Sequence, residues 1–264
     1  MILPNNAWLS AARPRTLFLS IACTGMGNLI AIILGNASLY IILLSLCTTV
    51  LLQVLSNFAN DLGDTIHGAD SAARSGPKRA VQSGAISLEA MRKAVLWTAL
   101  LSFFSGLALI IVAFYQHLTY LLLFLIIGLG AIAAAYFYTN GKKPYGYRAL
   151  GDLFVFIIFG PVDVLGTLFL HIKSVPLIAL LPAVAMGLLS TGVLNLNNIR
   201  DMASDKQAGK LTIPLLLGFR WAKLYHVLLV LSGTAALWYF AQIYVPQACW
   251  PIIGLGALNS IAPL

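Results

Sequence analysis

The chain has 264 residues, 60% of them hydrophobic and only 9% charged, with a mean hydropathy of +0.90. A soluble domain carries about a quarter charged residues, so this composition excludes a water-soluble globular protein and points to a polytopic membrane protein. The net charge of +8 would suggest nucleic acid in a soluble protein; here it calls for no nucleic-acid partner, because Lys and Arg flank membrane spans on the cytoplasmic side.

In chain order, the first apolar run, Thr16 to Leu34, exceeds the apolar core of a signal peptide and lacks a small-x-small cleavage site, so it is expected to be retained as a helix. Eight spans are expected, over about 16–35, 38–59, 94–115, 118–138, 150–170, 175–197, 224–244 and 248–264, in a single all-α transmembrane domain covering 1–264. Of the 16 Lys and Arg residues, only Lys173 falls outside the segment before span 1 and the loops after spans 2, 4 and 6. The positive-inside rule therefore puts the N-terminus and those loops in the cytoplasm. The 3 cysteines show no paired spacing: Cys23 and Cys47 read as small packing residues, and Cys249 lies near a non-cytoplasmic end.

The connections on the opposite side, such as "GNAS" at 35–38 and "YQHLT" at 115–119, are short. The cytoplasmic loops after spans 2 and 6 are each expected to run roughly 30 residues, a length usually associated with function. They open on similar phrases, "NDLGD" at 60–64 and "NNIRDMASD" at 197–205, four spans apart, which suggests a duplicated four-helix unit.

These phrases also concentrate the acid. Asn57, Asp61 and Asp64 are spaced i, i+4, i+7 and share one helical face; Asp201 and Asp205 do the same, with Asn197 and Asn198 a turn earlier. With Asp70 and Asp152, six of the 8 acids lie at the ends of helices 2, 5 and 6. Facing carboxylates suit hard divalent cations such as Mg²⁺, which bridge protein oxygens to phosphate. Cations for the phosphate are at hand in Arg74, Lys78 and Arg79, in Lys142 and Lys143, and in Lys210. The plain alternative is that these are the solvated ends of membrane helices. Other signals fail: "AGKLT" at 208–212 has a Leu between Lys and Thr, the first cluster lacks calcium-loop spacing, and the four His are scattered.

Taken together, these residues resemble the UbiA superfamily of intramembrane prenyltransferases, and within it the 1,4-dihydroxy-2-naphthoate polyprenyltransferase branch. The superfamily carries Asn-Asp-x-x-Asp-x-x-x-Asp after helix 2 and Asp-x-x-x-Asp after helix 6. Here the first phrase is "NDLGDTIHGAD", whose five residues between Asp64 and Asp70 resemble that branch specifically. "WLSAARPRTL" at 8–17, "SGPKRAVQSGAIS" at 75–87, "YTNGKKPYGYRALGDLFVFIIFG" at 138–160 and "NNIRDMASDKQAGKLTIPLLLG" at 197–218 extend the likeness over most of the chain.

The resemblance implies that Asp61, Asp64, Asp201 and Asp205 hold Mg²⁺ and are catalytic. The metal would bind the diphosphate of a polyprenyl diphosphate donor, and 1,4-dihydroxy-2-naphthoate would be the acceptor. Asn57, Asn60 and Asn198 would orient carboxylates or phosphate oxygens. Asp70, Arg74, Lys78, Arg79, Tyr138, Lys142 and Lys210 complete the expected substrate-binding set, with Asp70 either a ligand or a brace for its loop. Tyr136, Tyr138, Phe154 and Phe156 are candidates to face an allylic cation, or else ordinary interfacial aromatics.

The surroundings would be membrane lipid, with no obligate protein partner. Alternatives are another acceptor (4-hydroxybenzoate or homogentisate), a phytyl donor, a non-catalytic lipid-binding relative and, more remotely, an ion transporter. The superfamily usually has nine helices, so either the natural protein is short or this chain stops before a ninth. Asp163, mid-span in "GPVDVLG", either lines a substrate cavity or sits protonated against a partner, helped by backbone that Pro161 frees.

Overall fold

The computed structural model describes residues 4–69 and 79–244. The expected eighth span, and with it Cys249, as well as Asp70, Arg74 and Lys78, lie outside the described residues. Within them the protein is helical, with seven helices long and apolar enough to cross a membrane. Each overlaps one of the first seven expected spans, with some ends displaced by several residues. The helices divide between two compact units.

The first unit comprises residues 1–22, 38–151 and 200–212. It holds α1 (Pro4–Ala12), the first part of α2 (Pro14–Ile33), α3 (Leu39–Ile66), α4 (Leu88–Phe114), α5 (Leu118–Phe137), a 3-10 turn (Tyr145–Tyr147) and α9 (Met202–Gln207). Its core joins Leu55, Phe58 and Leu62 of α3 to Met91 and Val95 of α4 and to Ala7 and Ala11 of α1.

Three local features depart from the sequence expectation. The separate α1 ends at an elbow where Arg13 adopts φ 50°; the residue before a proline is disfavoured in the α region, and Pro14 follows it. Helix α3 continues past its expected end at 59 to Ile66, because backbone hydrogen bonds do not stop where side chains turn polar. Helix α4 starts earlier than 94, at Ser87, whose side chain accepts from the Ala90 amide, an N-cap contributing about 1 kcal/mol.

The second unit comprises residues 23–37, 152–199 and 213–264. It holds the rest of α2, most of α6 (Gly151–Ile157), a π-helical segment (Ile158–Leu165), α7 (Gly166–Ile172), α8 (Leu180–Arg200), α10 (Ile213–Leu217) and α11 (Phe219–Tyr244). The expected uniform helix over 150–170 is interrupted around Pro161, whose missing N–H and ring clash break the α ladder. There Gly160 meets α8 so closely that a Cβ would stand 2.5 Å from the Ala183 carbonyl oxygen, the close approach that small residues permit in membranes.

Asp163 lies in this π segment and accepts from the hydroxyls of Thr24 at 2.7 Å and Thr167 at 3.5 Å. One turn further on, His171 Nε2 pairs with Asn28 Oδ1 at 2.8 Å. Asp163 and His171, both in membrane-spanning helices of the second unit, are thus met within it.

Candidate functional site

Asp61 and Asp64 of the first acidic phrase and Asp201 and Asp205 of the second fall in the first unit. On α3 the shared face is deeply enclosed: Asn57 is 2% exposed, Asp61 1% and Asp64 7%. Gly63 makes that possible, since a Cβ there would stand 2.6 Å from the Thr139 carbonyl oxygen. The segment after α5 therefore lies directly on α3. Thr139 Oγ1 donates to the Ala59 carbonyl and to Asn60 Oδ1, and Asn140 Nδ2 donates to the same Ala59 carbonyl.

Asp61 Oδ2 accepts from the Ala80 amide at 3.2 Å, while Oδ1 is buried without a hydrogen-bond partner. The guanidiniums of Arg79 and of Arg13, at the α1–α2 elbow, act on this carboxylate electrostatically. Asn57 commits its amide to holding that elbow: Nδ2 donates to the Ala12 carbonyl at 2.7 Å and to Thr16 Oγ1 at 2.9 Å. Its Oδ1 accepts from Gln53.

The second phrase continues α8 through α9. Arg200 grips Asp201 with both arms, Nε to Oδ1 at 2.8 Å and Nη2 to Oδ2 at 2.7 Å. Asp205, 3% exposed, faces Lys210 Nζ at 3.6 Å.

Tyr147 connects the two phrases. Its hydroxyl donates to Asp64 Oδ1 at 2.9 Å, and Lys210 Nζ lies 5.3 Å above its ring. Its carbonyl accepts from the Leu211 amide at 3.1 Å, and the Leu211 carbonyl accepts from Ala149 at 2.8 Å. The 3-10 turn carrying Tyr147 is fixed by the Tyr145 hydroxyl, which donates to the Ala134 carbonyl at 2.8 Å, and by Gly146, whose amide donates to the Tyr138 carbonyl. Burial raises the Tyr145 hydroxyl above the usual tyrosine range and keeps it a donor. A continuous line thus runs Asp64–Tyr147–Lys210–Asp205.

The chain matches the model of the UbiA prenyltransferase family over residues 18–262. This chain belongs to the UbiA prenyltransferase family. It is 42% identical over 245 residues to the 1,4-dihydroxy-2-naphthoate octaprenyltransferase of Escherichia coli (strain K12), covering 93% of this chain and 79% of that protein. The protein of the same name from Mycobacterium tuberculosis is 38% identical over 251 residues, 95% of this chain and 82% of the relative. A UbiA prenyltransferase domain-containing protein 1 from Danio rerio is 29% identical over 262 residues, 94% of this chain and 72% of the relative.

In this family member the structure gathers Asn57, Asn60, Asp61, Asp64, Arg79, Tyr138, Asp201, Asp205 and Lys210 into one unit. Lys142 belongs to that unit too, but it is exposed and lines a groove beside α4 and α5 rather than the acidic line. Asn198 is buried in the second unit, to which the half-buried Phe154 and Phe156 also belong. Three residues at the site escaped the sequence reading: Arg13, Tyr147 and Arg200. All three sit in quoted phrases, "WLSAARPRTL", "YTNGKKPYGYRALGDLFVFIIFG" and "NNIRDMASD", yet only the tertiary fold brings Arg13 and Tyr147 to the acids. Among the described residues, no three His, Cys, Asp or Glu side chains converge to hold a metal ion.

Proposed function

We propose that this membrane enzyme transfers a polyprenyl group from polyprenyl diphosphate to 1,4-dihydroxy-2-naphthoate, with loss of CO₂, in an Mg²⁺-dependent reaction at the cytoplasmic face of a bacterial inner membrane. The observation that carries this reading is the line Asp64–Tyr147–Lys210–Asp205, which joins the two acidic phrases. The acceptor follows from the relatives named above.

The donor set suits a hard cation: all its ligands are carboxylate oxygens, and the buried, unpartnered Asp61 Oδ1 is the kind of orphan that a ligand satisfies. Asp61, Asp64, Asp201 and Asp205 would hold the ion, and Arg200 and Lys210, which pair with Asp201 and Asp205 here, would face the diphosphate. When bound, Mg²⁺ supplies charge neutralisation on the leaving diphosphate.

The protein's own residues do the rest. Tyr147 fixes Asp64 in one orientation, and Lys210, Arg200 and Arg79 supply positive charge where the leaving group gathers negative charge. The allylic C–O bond breaks with its electron pair going to diphosphate. A ring carbon forms the new C–C bond, and the carboxylate departs as CO₂, returning its bonding pair to the ring. The product is demethylmenaquinone in its reduced form, with no net redox change. The isoprenoid tail stays in lipid while the charged end stays near water.

The test is a membrane assay with both substrates and Mg²⁺, repeated after chelation and with Asp61→Ala and Asp201→Ala. Product formation only with metal and intact acids is expected. Activity surviving both substitutions refutes the metal assignment, and prenylation of 4-hydroxybenzoate but not of dihydroxynaphthoate refutes the acceptor.

A further inference from the structure

On the far side of α3 lies a groove that the proposed reaction does not use. Its volume is about 750 Å³, and it is lined by α3, α4, α5 and the segment after α5, within the size range of small-molecule sites. The α3 residues that floor it, Leu55, Leu62 and Ile66, fall within about 40° of each other at 100° per residue. Asn57, Asp61 and Asp64 cluster about 180–240° round the same helix. The groove is therefore separate from the acidic face.

Its walls are apolar, and its mouth is cationic. Arg92 and Lys142 line it together with His67, and none of the lining residues is Asp or Glu. Among the described residues Arg92 makes no ion pair, and the neighbouring Glu89 is taken by Lys93 at 2.9 Å. His67 is held as a fixed rim, its ring nitrogens 2.9 Å from the Gly63 carbonyl and 3.1 Å from the Gly141 carbonyl. One wall, α5, packs Ile132 and Ala135 against the core of the unit but has no fully buried residue along its length, so much of its apolar surface is open to lipid chains.

We infer that the α3–α4–α5 groove is a binding site for a bilayer phospholipid with an anionic head, its chain between α4 and α5 and its phosphate at Arg92 and Lys142. Basic pockets between membrane helices suit such headgroups. Without carboxylates, the site binds phosphate directly and needs no metal. That separates it from a diphosphate site built on Asp61 and Asp64.

Native mass spectrometry of the full chain in detergent, titrated with phosphatidylglycerol, phosphatidylcholine or a polyprenyl diphosphate, tests this. Phosphatidylglycerol is expected to be retained in preference to phosphatidylcholine. Retention should fall about fivefold in Arg92→Ala, recover in Arg92→Lys, and be lost in Ala133→Trp, which fills the groove. Equal retention in all four proteins overturns the inference. So does displacement of the lipid by polyprenyl diphosphate without Mg²⁺, which would make the groove part of the donor site. A dimer that Ala133→Trp dissociates also overturns it, because the occupant would then be a second copy.

Discussion

Two carboxylates in this protein, Asp61 and Asp163, are handled differently. Asp163 has an oxygen met by two threonine hydroxyls, from α2 and from one turn along its own strand of helix. Asp61 is 1% exposed, and one of its oxygens has no hydrogen-bond partner. Leaving a buried acceptor unmet costs about 1–3 kcal/mol, more for a charged group. One oxygen of Asp205, in the second phrase, and one of Asp152 also lack a hydrogen-bond partner, whereas Asp163 is not among these acids. On the reading proposed above, the open oxygen of Asp61 awaits a ligand, and Asp163, though it stands out more in the sequence, serves packing.

Substitution can break this contrast. The largest effect is expected from Asp61→Asn: prenyl transfer in membranes should fall by about 10²–10³-fold, with the amount of folded protein unchanged. A fall below tenfold would place Asp61 with Asp163. Next, Tyr147→Phe keeps the ring under Lys210 but removes the bond to Asp64; hydrogen bonds to charged groups contribute about 1.5–3 kcal/mol, so kcat is expected to fall at least tenfold. An unchanged rate would mean that the line between the acidic phrases has no part in turnover.

The remaining effects are on stability. Gly63→Ala forces a Cβ against the Thr139 carbonyl, and thermal unfolding in detergent should show a loss of about 1–3 kcal/mol. The smallest effect is expected from Thr24→Val, which removes one hydroxyl from Asp163: about 1 kcal/mol of stability, with activity within about twofold. A large activity loss there would move Asp163 from packing to catalysis and collapse the distinction.

Much of the molecule was legible in the sequence, for physical reasons. A long apolar run admits few solutions in a bilayer, since backbone groups must be satisfied within the segment. That is why α2, α3, α4, α5, α8 and α11 lie where hydropathy puts them. The i, i+4, i+7 spacing of Asn57, Asp61 and Asp64 likewise survived intact, because α3 runs straight through them. What hydropathy could not show is where a helix changes register or begins to bend. Pro161 announced a disturbance, but the π segment depends on how closely Gly160 meets α8, which is a tertiary fact. Arg13, Tyr147 and Arg200 were missed for a related reason. Their roles come from contacts across long sequence separations or, for Arg200, from a neighbour that a spacing rule for acids ignores. Asn57 shows the converse: its place in the motif suggested a role toward carboxylates or phosphate, and the fold shows a further one that spacing could not, since its amide holds the α1–α2 elbow.

The short stitch between residues 147–149 and Leu211 has a consequence for how freely this region can drift. It is made entirely of main-chain groups, two amides and two carbonyls, so it takes no information from the side chains at 148 or 211. A saturation library should find those two positions permissive to nearly every residue. Proline at 211 is the exception, because it removes the amide that reaches Tyr147. The two loops that carry Tyr147 and Lys210 can thus accept substitution around them while their alignment is inherited unchanged.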